Sequence, residues 1–171
     1  MTVDEVLGWF DTGQLRPPAA LLDLCTRLMN EVGETPVIID HVALLVGDLS
    51  RTTSIAATRL GVAPESPHLL TDHGVEALLL PHPAARLELL RPLQDEGPLT
   101  RRLAVTGDAF HHLALRVEDV DRALAHATRA GRACVDQIGR EGLTGRVGFL
   151  HPAGTEGILI EFVSPRGRST R

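Results

Sequence analysis

The chain of 171 residues has no lysine and no tyrosine, one tryptophan, four phenylalanines and two cysteines. Without lysine there is no Schiff-base chemistry, no pyridoxal phosphate anchor and no Walker A phosphate loop. Without tyrosine no phenol serves as acid or base. Cys25 and Cys134 are too few for a disulfide framework and read as two buried thiols in a reducing compartment. No apolar run reaches the roughly 20 residues that a membrane span needs. Asp4 and Glu5 stand where a signal peptide would be apolar, so the expected setting is cytoplasmic and no membrane partner is expected. A formal net charge of -5 with no long basic run argues against nucleic acid as a partner. The chemistry that remains rests on His, Asp, Glu, Cys, Ser, Thr and any metal these can hold, with arginine as the strong cation. The composition, 43% hydrophobic and 23% charged, suits one compact domain or two small fused modules.

An internal repeat organises the chain. Asp40 to Asp48 aligns with His111 to Asp119 at an offset of 71, so that His41 falls on His112, Ala43 on Ala114, Asp48 on Asp119, and beyond them Arg51 on Arg122. Each copy reads as a strand, an Asp able to cap a helix, and a helix closed by glycine: Leu49 to Leu60 before Gly61, and Val120 to Ala130 before Gly131. Apolar runs then follow at Gly74 to Pro81 and Arg86 to Pro92, and again at Arg146 to His151 and Gly157 to Val163. Weaker strands are expected near Glu65 to Thr71 and Ala133 to Ile138. The expected fold class is therefore α+β, two tandem βαβββ modules. Residues 1–35 form an N-terminal extension whose stretch from Pro17 to Met29 reads as an amphipathic helix, packed on the core or on a second subunit. The first module with its linker occupies 36–105 and the second 106–165, with Gln94 to Asp108 as the join and a basic tail at 166–171.

Four polar residues interrupt these apolar strands. His41 and His112 begin the first strand of each copy, and Glu88 and Glu161 lie in the last, 47 and 49 residues downstream. In a duplicated fold such equivalent positions can converge on one point. Two imidazoles and two carboxylates suit a divalent ion such as cobalt, nickel, manganese, zinc or iron, and the lack of thiolates disfavours a closed structural zinc site. His111, adjacent to His112, points to the opposite face of an extended strand. His151 ends a strand and is a candidate for substrate contact. His68, His73, His82 and His126 read as surface residues, with His73 in a turn that could face a cleft.

The segments Ile39-Asp40-His41-Val42-Ala43, Leu87-Glu88-Leu89-Leu90-Arg91-Pro92-Leu93, His111-His112-Leu113-Ala114-Leu115-Arg116-Val117, and Phe149-Leu150-His151-Pro152 continuing to Gly157-Ile158-Leu159-Ile160-Glu161 resemble the vicinal oxygen chelate superfamily. This is the paired βαβββ fold of glyoxalase I and extradiol dioxygenases, and the resemblance, over residues 36–165, is greatest to its methylmalonyl-CoA epimerase branch. It implies that His41, Glu88, His112 and Glu161 are metal ligands. It also implies inversion at the acidic carbon of a 2-alkylmalonyl thioester by a homodimeric enzyme. Inversion needs an acid or base on each face of a planar enolate, and Glu161 would serve one.

The sequence departs from that pattern in places. The third-strand Glu of some bacterial epimerases aligns with Ala77, while this chain has Glu76, one residue earlier, as the candidate second base. The family's aromatic pair in the first helix is replaced by Ile55-Ala56, and residues 1–35 have no counterpart. Arg140 and Arg146, flanking the loop from Gly142 to Gly145, are the candidates for binding the phosphates of a thioester substrate; Arg101 and Arg102 are weaker ones. These departures keep an alternative open, an isomerase, cyclase or lyase of a specialised, polyketide-type pathway acting on another dicarbonyl. A metal-free sequestering protein is a third class, disfavoured by the complete four-residue set.

Overall fold

Both aspartates expected to cap helices do so. Asp48 Oδ1 accepts from the backbone N–H of Arg51 at 2.9 Å, and Asp119 Oδ1 from that of Arg122 at 3.0 Å. The repeated Asp-x-x-Arg thus becomes two helix N-termini. Gly61, at φ 67°, takes the left-handed conformation that ends the first of them. The computed structural model describes residues 18–34, 36–81 and 86–165. Residues 1–17, the tail at 166–171 and His82 lie outside the described residues. The helices are α1 (Pro18–Val32), α2 (Leu49–Leu60), α3 (Pro98–Thr106) and α4 (Val120–Arg129). The strands are β1 (Ile39–Leu45), β2 (His68–Leu70), β3 (Val75–Leu80), β4 (Arg86–Pro92), β5 (Ala109–Arg116), β6 (Arg140–Glu141), β7 (Gly145–Leu150) and β8 (Ile160–Pro165). Among the described residues no helix is long and apolar enough to cross a membrane.

The described residues divide into two compact units, one holding His41–His112, the other residues 18–40 together with 113–165. In the first, the strands run in the order β2-β3-β4-β1; in the second, β6-β7-β8-β5. In each the repeat's first strand pairs in parallel with its last, and the other neighbours are antiparallel. One face of the first unit's strands packs Leu78, Leu80 and Leu89 against Leu49, Ala56 and Ala57 of α2.

The structure differs from the sequence expectation at four places. The join between modules contains α3, which starts at Pro98, where the missing N–H costs nothing, and ends before Gly107. Ala133 to Ile138 forms no ladder, only an isolated bridge between Cys134 and Leu150, and a two-residue strand follows at Arg140. β2 has three residues, and β8 starts at Ile160 because Glu156 and Gly157 take positive φ, 60° and 91°, and turn the chain. Cys25 is buried, its thiol pushed up by that burial, but Cys134 is only half-buried.

The helix α1 packs against α4 in the second unit. It buries Leu24, Cys25, Leu28, Met29 and Val32, a stripe at helical spacing. Arg132 fastens its end, donating to both oxygens of Glu31 at 2.9 and 2.5 Å and to the Gly154 carbonyl at 2.9 Å. Arg27 adds an ion pair to Glu156 at 2.6 Å.

Candidate metal centre

Strand pairing sets the faces on which side chains emerge, because opposed residues share a face and so do residues two apart. Ala43 of β1 lies opposite Glu88 of β4, and Leu79 of β3 lies opposite Glu88 from the other side. His41, two residues before Ala43, therefore emerges on the face that carries Glu88. His112, the last residue of the first unit, comes from β5.

The three side chains meet. His41 Nε2 lies 3.1 Å from His112 Nε2, and Glu88 Oε2 lies 3.4 Å from the former and 3.5 Å from the latter. The residues are 3%, 6% and 2% exposed for His41, Glu88 and His112. A point equidistant from the three atoms is about 1.9 Å from each, just inside the roughly 2.0–2.2 Å at which divalent transition metals bind imidazole nitrogen and carboxylate oxygen. The three fit such an ion in donor type and in spacing. His111 adds the orienting contact that a ligating imidazole requires. Its Nδ1 lies 2.8 Å from His112 Nδ1, and the tautomer of His112 that donates there is the one that keeps a lone pair on Nε2 for the centre of the triangle. The sequence had placed His111 on the other face of the strand; adjacency along the chain brings the two rings together edge to face.

Glu161 is 4% exposed and belongs to the second unit, where it repeats the setting of Glu88. It stands opposite Ala114 on β5 and Phe149 on β7, as Glu88 stands opposite Ala43 and Leu79. The two carboxylates are equivalent positions of the duplicated fold.

Other expected site residues fall elsewhere. Glu76 is opposite Arg91 and two residues from Leu78, on the face covered by α2 and not the face of Glu88. Its Oε2 accepts from Arg91 Nε at 2.9 Å and Nη2 at 2.7 Å. A shift of one residue in a strand reverses the side chain, so the structure does not bring Glu76 to the triangle. Arg146 is displaced in the same way. It pairs with Asp121 of α4 through Nε at 3.1 Å and Nη2 at 3.0 Å, and the same carboxylate accepts from the Gly139 N–H at 2.7 Å. The guanidinium holds Asp121 below the usual carboxylate range. His151 Nδ1 accepts from the Ala153 N–H at 3.1 Å and caps the turn Pro152–Gly154, a structural task. Arg140 alone of this group shares Glu161's face. It is opposite Val147, and its guanidinium stands 5.6 Å from the centre of the Phe149 ring. Arg102 is buried, donates to the Phe110 carbonyl at 2.5 Å, and is lowered to about 10 by that burial, so it is no surface phosphate ligand. Arg101 is exposed on α3.

Comparison with known proteins places the family and the fold. Residues 40–149 match the profile of the family described as Glyoxalase/Bleomycin resistance protein/Dioxygenase superfamily. The chain is similar to the ethylmalonyl-CoA/methylmalonyl-CoA epimerase of Cereibacter sphaeroides, 31% identical over 128 residues, covering 72% of this chain and 94% of that protein. It is similar to the crystal structure of methylmalonyl-CoA epimerase from Mycobacterium tuberculosis, with TM-score 0.71, 30% identity, and 76% of this chain and 89% of the other covered. A third match is a methylmalonyl-CoA epimerase in complex with methylmalonyl-CoA and ammonium, with TM-score 0.71, 27% identity, and 78% and 97% covered.

Proposed function

The chain belongs to the Glyoxalase/Bleomycin resistance protein/Dioxygenase superfamily, and from that premise we propose that it is an isomerase, an epimerase of methylmalonyl-CoA or a related 2-alkylmalonyl thioester. The observation that carries the reading is the buried triangle of His41, Glu88 and His112, in a chain whose relatives are named for that reaction. His41, Glu88 and His112 would hold a divalent ion, with Glu161, the equivalent of Glu88, as fourth ligand. A divalent ion held there, cobalt, nickel, manganese, zinc or iron, would supply the Lewis acidity that makes the carbon between the carbonyls of a dicarbonyl substrate more acidic.

The protein's own groups do the rest. His111, 2.8 Å from His112 Nδ1, is placed to accept from it and so favour the tautomer with a lone pair on Nε2. Glu161, buried and on an apolar face, takes or returns the proton on one side of the substrate carbon. Arg140, on the same face of its strands as Glu161, offers a permanent cation to a phosphate or carboxylate. One observation favours a second reading, another dicarbonyl isomerase, cyclase or lyase. Ala77 faces the side of Glu88 and has no titratable group to serve the other side of an enolate.

Two measurements decide. Purified protein reconstituted with divalent metal should bind close to one equivalent, and less than about 0.2 would remove the chelate site. Incubation with methylmalonyl-CoA in heavy water, followed by proton NMR, should show exchange at the 2-position, abolished in Glu161→Gln. No exchange above background in the wild type would favour the second reading, and an active Glu161→Gln would remove Glu161 as a base.

A further inference from the structure

The strand register of the first unit places a permanent cation beside the triangle. Arg86 of β4 lies directly opposite His41 of β1 and two residues before Glu88, so its side chain emerges on the face that carries both. Adjacent strands are roughly 4.8 Å apart and two residues along a strand span roughly 6.6 Å, both within the length of an arginine side chain. Around the ligands this face is apolar, over Ala43, Leu45, Ala77, Leu79 and Leu90. Arg91, also on β4, turns to the opposite face and pairs with Glu76.

The repeat shows that the fold does not require a charge at this position. With Glu161 equivalent to Glu88, the counterpart of Arg86 is Leu159, which packs against an apolar cluster of the second unit. Arg86 is half-buried, and a guanidinium drawn partly out of water among apolar side chains loses hydration that an anion replaces. It keeps its charge throughout the physiological pH range. A substrate that is an anion at its reacting end matches it. The thioester of the epimerase reading, on which this inference rests, has a free carboxylate on the carbon that is inverted, and loss of the proton from that carbon spreads a further negative charge over the same atoms. A neutral dicarbonyl brings no such carboxylate.

We propose that Arg86 determines the substrate class of the site: its guanidinium donates to the free carboxylate of a substrate placed at the triangle and so selects 2-substituted malonyl thioesters over neutral dicarbonyls. The contact is charge-assisted, and the planar guanidinium can offer two parallel N–H groups to the two carboxylate oxygens. Arg86 moves no proton. It holds the substrate before and during reaction alike, so its loss raises KM more than it lowers kcat.

Two thioesters that cannot be epimerised isolate the carboxylate. Dimethylmalonyl-CoA keeps it and has no proton at C2; isobutyryl-CoA is the same molecule with the carboxylate replaced by hydrogen. Each is titrated calorimetrically into metal-loaded wild type, Arg86→Leu and Arg86→Lys, the leucine being what the second unit carries at this position. We expect all three proteins to bind metal equally. Arg86→Leu should bind dimethylmalonyl-CoA roughly 10- to 100-fold more weakly than wild type and isobutyryl-CoA within about 2-fold of it, the pattern of one lost charge-assisted hydrogen bond. Arg86→Lys, which retains the charge, should recover part of the loss. With methylmalonyl-CoA as substrate, KM of Arg86→Leu should rise by a larger factor than kcat falls. Equal weakening of both thioesters, or unchanged binding of dimethylmalonyl-CoA, overturns the proposal, and the epimerase reading stands if wild type still exchanges the 2-proton of methylmalonyl-CoA. A wild type that binds neither thioester removes both.

Discussion

The two units use one blueprint and stabilise it differently. In each, a carboxylate on the last strand sits opposite an alanine of the first. On the other face the packing diverges. The first unit pairs Leu78 with Leu89 beneath α2, and the second pairs Gly148 with Phe162 beneath α4. The volumes are exchanged between strands. A Cβ at Gly148 would lie 2.7 Å from Leu124 Cδ1 and 3.0 Å from Val120 Cγ1, so the glycine lets α4 come close. α4 buries Val120, Ala123, Leu124 and Ala127 and is covered by α1. α2 buries only Leu49 and leaves Ile55 51% exposed. A helix between two layers needs apolar residues on more of its circumference than a helix with one side in solvent. The lesson is that the two units keep the carboxylate-bearing face alike and differ on the helix-bearing face.

Truncation should expose that difference most strongly. Leu28→Ala removes a fully buried side chain of α1, and a loss of about 2–5 kcal/mol is expected. Ile55→Ala, on the solvent side of α2, should change stability by less than about 0.5 kcal/mol. Urea unfolding of both variants measures it. Equal losses would mean that α1 contributes no core to the second unit.

The clamp on α1 gives a smaller effect with a pH signature. The Arg132 guanidinium holds Glu31 below its ordinary value of 4.5. A depressed carboxylate stabilises the fold above its unfolded pKa and loses that contribution as pH falls through the folded one. Glu31→Gln should therefore be less stable than wild type at pH 7, and the gap should narrow as pH drops below about 4.5. A gap that is constant from pH 7 to pH 3 would show that the pair acts through shape and not charge.

Much of this was legible beforehand. Asp48 and Asp119 named both helix starts, because a capping side chain is a local signal. His41, Glu88 and His112 were visible as polar residues repeated inside apolar strands, and the structure brings them within hydrogen-bonding range of one another. What the sequence did not show was strand register. Period-two alternation fixes the face of a residue only once one member of its strand is anchored to a neighbour. Neither Glu76 nor Arg146 could be anchored that way from sequence. α3 was missed because nine residues between Gly97 and Gly107, with two adjacent arginines, look like a solvated join.

Glu76 and Arg146 themselves offer the finest test of the blueprint. With Leu79 equivalent to Phe149, each opposite its unit's Glu, the two occupy equivalent register positions, three residues earlier, on the helix-covered face. Each is held in an ion pair, Glu76 by Arg91 and Arg146 by Asp121. Half-exposed pairs of this kind contribute little to stability, and neither points toward the face that carries its unit's strand carboxylate, Glu88 or Glu161. Glu76→Gln and Arg146→Gln should therefore keep 2-proton exchange within about 2-fold of wild type, because no group that meets the substrate has been altered. Arg140→Gln, six residues from Arg146 but on Glu161's face, should instead raise KM for the thioester. If Glu76→Gln lost exchange of one epimer, the strand register would have assigned Glu76 to the wrong face.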